Sequence, residues 1–197
     1  MPQTTKNNST IKNEIFTVPN ILVYIRILLM PVFVTLYINA TGRAGYIAAF
    51  VVMALAFVTD FLDGQIARRF NCVTELGKII DPVADKLYQF AVALCLMIKY
   101  PAMTSVAVVL FVKEISMGIM GLVLISKGGK IFGAKWYGKI STGFVDLSMV
   151  FLLMAPLFGI TVSNAATNAL IYACDAILIF AAIMYSRLFA AKIKEID

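Results

Sequence analysis

The sequence predicts an all-α integral membrane protein with six transmembrane helices and a short N-terminal interfacial helix. Three observations carry that reading. The 197 residues are 61% hydrophobic and only 14% charged, with a mean hydropathy of +0.89, well beyond the roughly half-apolar composition of water-soluble domains. The apolar residues fall into runs long enough for helices of about 20 residues, the length that crosses a hydrocarbon core. The connections between those runs are short, and basic residues flank them.

Residues 1–10 are polar and read as a disordered tail, and 11–197 as a single membrane domain. Met1 to Asn13 lacks the apolar stretch and small-residue cleavage site of a signal peptide, so the first hydrophobic segment is expected to stay in the mature chain. Ile11 to Val18 is mildly apolar and stops at Pro19, which suits a segment lying on the membrane surface. The spans then run over about 20–39, 44–69, 78–99, 102–125, 137–159 and 165–189. With the N terminus in the cytoplasm, Lys6, Lys12, Arg68, Arg69, Lys127, Lys130, Lys135, Arg187, Lys192 and Lys194 fall on the inner side and only Arg43 and Lys99 on the outer. The positive-inside rule therefore favours a multi-pass protein of the cell (inner or plasma) membrane with both termini cytoplasmic. The net charge of +6 is then a topology signal and an attraction for anionic lipid. No nucleic-acid partner is expected, because the basic residues flank spans and form no soluble basic face.

The chain has no histidine, which removes Ser-His-Asp and Cys-His catalysis and histidine-ligated zinc. Cys72, Cys95 and Cys174 are odd in number and unrelated in spacing, so neither a disulfide framework nor a thiolate metal site is indicated. Acid, base or metal chemistry must rest on carboxylates.

Those carboxylates cluster. Between Thr59 and Lys86 stand Asp60, Asp63, Asp81 and Asp85, each pair spaced to share one helix face. Both pairs fall at the inner ends of consecutive helices joined by a short turn, where folding back can bring all four to one focus. An aspartate at the centre of a span costs roughly 2.5–3.5 kcal/mol on insertion scales, and like charges repel. A divalent cation resolves both problems, and an all-oxygen donor set points to Mg²⁺ or Mn²⁺. Gly64, Gly77 and the small Ala67 leave room for a ligand near the backbone, while Arg68 offers a fork suited to phosphate oxygens. The bland alternative pairs the aspartates with Lys78, Lys86 and Arg68 as helix-to-helix ion pairs. Four acids at paired helical spacing with two glycines favour a functional site.

The stretch resembles the signature of the CDP-alcohol phosphotransferase family, D-x2-D-G-x2-A-R-x8-G-x3-D-x3-D. Asp60, Asp63, Gly64, Ala67, Arg68, Gly77, Asp81 and Asp85 match it at every fixed position. The resemblance implies transfer of a substituted phosphate from a CDP-linked donor to an alcohol with release of CMP, in a homodimer with a cytoplasm-facing cavity in each subunit. Carried over by position, Asp60, Asp63, Asp81 and Asp85 would ligate the metal ions and Asp85 would also be the general base. Asp60, Gly64, Ala67, Arg68 and Gly77 would hold the cytidine diphosphate.

TVPNILVYIRILLMPVF and NCVTELGKIIDPVADKL are similar to bacterial phosphatidylglycerophosphate synthases, which implies CDP-diacylglycerol as donor and sn-glycerol 3-phosphate as acceptor. The second half departs from that subfamily. Lys113-Glu114 stands for an Arg-Glu pair, and Gly138-Lys139-Ile140-Ser141-Thr142 for G-K-x-K-T. An acceptor phosphate needs cations, and Lys113, Lys135, Lys139 and Arg187 are the candidates. The departures keep open a cardiolipin synthase with phosphatidylglycerol as acceptor, or an inositol phosphate acceptor. A cation or proton transporter is the alternative of another class, with Asp146 and Asp175 midway along spans, but it has no need of the glycine, alanine and arginine spacing.

Overall fold

The computed structural model describes residues 17–69, 75–129, 132–133 and 135–196. They form six α-helices: α1 (Val18–Ile38), α2 (Gly42–Arg69), α3 (Glu75–Lys99), α4 (Met103–Ser126), α5 (Trp136–Met154) and α6 (Asn164–Lys194). A 3-10 turn, Ala155–Phe158, continues α5, and no strand occurs among the described residues. The helices fall where six were expected, with α6 running past 189 to Lys194. The expected tail 1–10, nearly all of the interfacial segment from Ile11, and Cys72 lie outside the described residues.

Among the described residues, five stretches are long and apolar enough to cross a membrane: Val18–Ile38, Gly42–Asp60, Met103–Ser126, Trp136–Phe158 and Asn164–Lys194. The helix absent from that set is α3. The part before Phe90 carries Asp81, Asp85, Lys86 and Gln89, and the helix is continuously apolar only from Phe90 to Ile98. Elsewhere large apolar side chains point outward, with Leu28 68%, Phe57 72% and Leu147 72% exposed. Such faces suit contact with lipid and make this a multi-pass membrane protein.

The chain packs as two units, Met1–Ala91 and Val92–Asp197, with the boundary inside α3. In the first, α1 and α2 form an antiparallel hairpin. Its turn requires glycine: Gly42 has φ 67°, and a Cβ on Gly45 would stand 2.8 Å from the Ala40 Cα. Pro19 opens α1, where its missing N–H leaves nothing unsatisfied. Phe33 of α1, fully buried, stacks against Tyr88 of α3 with ring centroids 5.9 Å apart, which seats the first half of α3 on α1.

In the second unit α6 packs against both α4 and α5. Leu124, Tyr137, Ala181, Tyr185 and Phe189 form its buried centre, with Met117, Met120 and Phe132 around them. The approach of α5 to α6 depends on Gly138, where a Cβ would meet the Tyr185 hydroxyl at 2.2 Å. That hydroxyl accepts the backbone N–H of Lys135 at 3.0 Å, satisfying one of the donors that a helix start leaves unpaired. Ser163 caps α6 by accepting the Ala166 N–H, and Lys192 and Lys194 sit in its last turn, where they complement the helix dipole.

Candidate active site

Three helices of the first unit carry charge to one level. Arg26 lies about two turns into α1, the Asp60 and Asp63 pair about two turns before the end of α2, and the Asp81 and Asp85 pair about two turns into α3. Because the helices alternate in direction, these positions meet. Arg26 is 3% exposed, and its guanidinium ties the helices together. Nη1 pairs with Asp60 Oδ1 at 2.7 Å and also donates to Asp85 Oδ1, while Nη2 donates to Asp63 Oδ2.

The carboxylates differ in surroundings. Asp63 is buried, whereas the Asp60 and Asp85 side chains are 43% and 51% exposed. Asp60 and Asp85 also interact with each other, and Asp81 feels the charge of both Arg26 and Asp60. The Oδ1 of Asp81 is buried with no hydrogen-bond partner. Among the described residues, Arg26 pairs with three of the four carboxylates. The donor set is entirely oxygen, the chemistry of a hard divalent cation, and the orphaned Asp81 oxygen fits such an ion as its missing partner. Among the described residues no three acidic side chains are gathered tightly enough to hold one ion; three of the four pair with Arg26 instead.

The other motif residues are placed by their backbones. Gly64, Ala67 and Arg68 continue α2 beyond the apolar stretch that ends at Asp60, and their side chains lie outside the described residues. Gly77 is buried in the first turn of α3. Of the simple ion-pair alternative, the Lys78 and Arg68 side chains lie outside the described residues; Asp60, Asp63 and Asp85 each pair with Arg26, and Lys86 reaches Gln89 at 3.5 Å.

The four acceptor candidates belong to the second unit. Lys113 and Arg187 line one groove of about 400 Å³ between α4 and α6, whose walls are mostly apolar, among them Val112, Met117, Met120 and Ile183. Lys113 is 4% exposed and its Nζ bonds Glu114 Oε1 at 2.7 Å, so its charge is already matched. Lys135 rests its ammonium 5.8 Å from the Phe132 ring centre, and Lys139 is exposed in the first turn of α5. Ser141, where the resembled pattern has lysine, is fully buried and donates to the Gly138 carbonyl at 2.9 Å.

Arg26 is the site residue that the motif does not contain. Its signal in the sequence is a lone charge inside the apolar run YIRILL, and an ionisable residue at such depth requires a partner.

The chain is similar to known proteins. The family model described as CDP-alcohol phosphatidyltransferase matches residues 16–189. A protein of Mycobacterium tuberculosis named probable phosphatidylglycerophosphate synthase is 31% identical over 148 residues, covering 74% of this chain and 69% of its own length. A CDP-diacylglycerol–glycerol-3-phosphate 3-phosphatidyltransferase of Bacillus subtilis is 30% identical over 151 residues, 71% of this chain and 77% of its own. A Pseudomonas fluorescens protein of that same name is 44% identical over 82 residues, 42% of this chain and 41% of its own.

Proposed function

The chain belongs to the CDP-alcohol phosphatidyltransferase family, and from that premise we propose that it transfers a phosphatidyl group from CDP-diacylglycerol to sn-glycerol 3-phosphate, forming phosphatidylglycerophosphate and CMP. The names of its relatives support the substrates. The observation that carries the mechanism is the convergence of Asp60, Asp63 and Asp85, from two helices, on one cationic centre.

Asp60, Asp63 and Asp81 would hold Mg²⁺ or Mn²⁺, with Asp85 within reach of the same centre. A metal there would supply Lewis-acid stabilisation of the diphosphate and of charge on the departing CMP. Asp85, half exposed at the mouth of the cluster, takes the proton of the acceptor hydroxyl. The hydroxyl oxygen bonds the phosphatidyl phosphorus in line as the bond to CMP breaks, and no covalent enzyme intermediate is needed. Gly64, Ala67 and Gly77 allow the cytidine diphosphate to approach the backbone, and Arg68 pairs with its phosphates.

Lys135, Lys139 and Arg187 are the cations proposed for the acceptor phosphate, since Lys113 is committed to Glu114. A second reading rests on Ser141. The cation of the resembled pattern is replaced there by a hydroxyl satisfied within its own helix, and an acceptor with a less charged phosphate, as in phosphatidylglycerol, needs fewer cations. We place the site and both termini on the cytoplasmic side of the cell membrane, and the working unit as a homodimer.

The test is CMP release by the purified protein with CDP-diacylglycerol and Mg²⁺ or Mn²⁺, comparing glycerol 3-phosphate, phosphatidylglycerol and inositol phosphate. Release with glycerol 3-phosphate alone, lost in EDTA and restored by the metal, is the expected result. Release with another acceptor alone moves the assignment to that reaction. Silence with all three removes the assigned donor.

A further inference from the structure

We propose that Arg26 is the built-in counter-cation of the aspartate cluster: its guanidinium stands in for a divalent cation while the site is empty of metal and withdraws when one binds. This rests on the metal-assisted reading above. Arg26 lies outside the motif, on a helix that contributes none of the four acids, yet it touches three of them. Carboxylates held close together repel one another unless a cation lies between them, and Arg26 pairs with three of them at once.

Two details distinguish a stand-in from a permanent brace. Arg26 Nε is buried with no hydrogen-bond partner, so the guanidinium uses only its two terminal nitrogens in the pairs described. A buried arginine built as fixed architecture would be expected to satisfy that donor as well. On the acid side, Asp81 Oδ1 is likewise buried without a partner. Arg26 thus leaves unfilled a donor oxygen that a cation with several oxygen ligands would use. The guanidinium bridging Asp60, Asp63 and Asp85 occupies the focus that a metal shared by those acids would take, so the two cations compete.

Competition sets the sign of the test. Mn²⁺ affinity is measured by electron paramagnetic resonance on the full chain in detergent, and thermal stability in EDTA and in Mn²⁺, for wild type, Arg26→Met and Arg26→Lys. If Arg26 fills the site in most metal-free molecules, Arg26→Met lowers the apparent Mn²⁺ Kd by about tenfold, as when the competent form holds roughly a tenth of the wild-type population. The same variant loses thermal stability in EDTA and regains it in Mn²⁺. Arg26→Lys, which keeps the charge but not the two-armed bridge, falls between the two in both readouts. It also carries the test should Arg26→Met fail to fold without metal.

Weaker Mn²⁺ binding in either variant, or thermal stability that Mn²⁺ fails to restore, overturns the proposal and makes Arg26 a fixed brace. Wild-type CMP release separates the two readings. If wild type binds Mn²⁺ and releases CMP while the variants bind it less well, only the role of Arg26 fails. If wild type neither binds Mn²⁺ nor releases CMP, the metal-assisted reading fails with it.

Discussion

Arg26 and Lys113 are equally buried, at 3% and 4% exposure, but they spend their charge in opposite ways. Arg26 pairs across 34 to 59 positions of sequence with carboxylates on two other helices. Lys113 pairs with the residue that follows it. The first arrangement exists only when α1, α2 and α3 are assembled, so it reports and enforces tertiary structure. The second is made within one helix and makes a buried charge tolerable locally. A buried ion pair is therefore informative about function when its partners come from different elements and several acids meet one cation.

The largest expected break comes from the acid side of the Arg26 network. Asp85→Asn should lower CMP release by about 10²–10⁴-fold, the usual contribution of a positioned base, with the protein still folded by thermal unfolding in detergent. Near-normal turnover in that variant would remove Asp85 from the mechanism. Next is Arg26→Met in EDTA, which takes the guanidinium away from buried Asp63. Breaking one side of a buried pair costs about 3–5 kcal/mol, read as a lowered unfolding midpoint, and a change within error would erase the contrast drawn here.

Gly138→Ala probes the second unit where sterics rather than charge hold it. Its Cβ would overlap a buried tyrosine hydroxyl that already accepts the Lys135 N–H, and overpacking of this kind costs about 1–3 kcal/mol. Thermal unfolding equal to wild type would show that Tyr185 can move aside. The smallest effect belongs to the local pair. Lys113→Met with Glu114→Gln should be close to neutral, because replacing both members of a buried pair with less polar groups is often neutral or stabilising. A loss as large as that of Arg26→Met would mean that Lys113 holds the fold together after all.

Much of this was legible in the sequence. The positions of six helices followed from apolar runs, and the four aspartates from helical spacing. What periodicity could not supply was the identity of their partner. Lys78, Lys86 and Arg68 are near the acids in sequence, whereas Arg26 is remote, and only the antiparallel stacking of α1 on α2 brings it opposite Asp60 and Asp63. The sequence likewise offers Lys113 among the candidate cations for an acceptor phosphate, and a one-residue neighbour is not ordinarily a partner on a helix. The pairing with Glu114 is a rotamer choice within α4, and composition does not encode it. The reason for glycine at 138 was hidden as well, because it depends on a tyrosine from α6.

The polar first half of α3 bears on how the protein is made. A nascent α3 reaches the membrane carrying Asp81, Asp85 and Lys86 ahead of its only oily stretch, Phe90 to Ile98, which is too short to partition on its own. By then the α1 and α2 hairpin is already synthesised, with Arg26 set in it as a waiting anchor. The entry of α3 is expected to be a docking event between helices rather than a solo insertion.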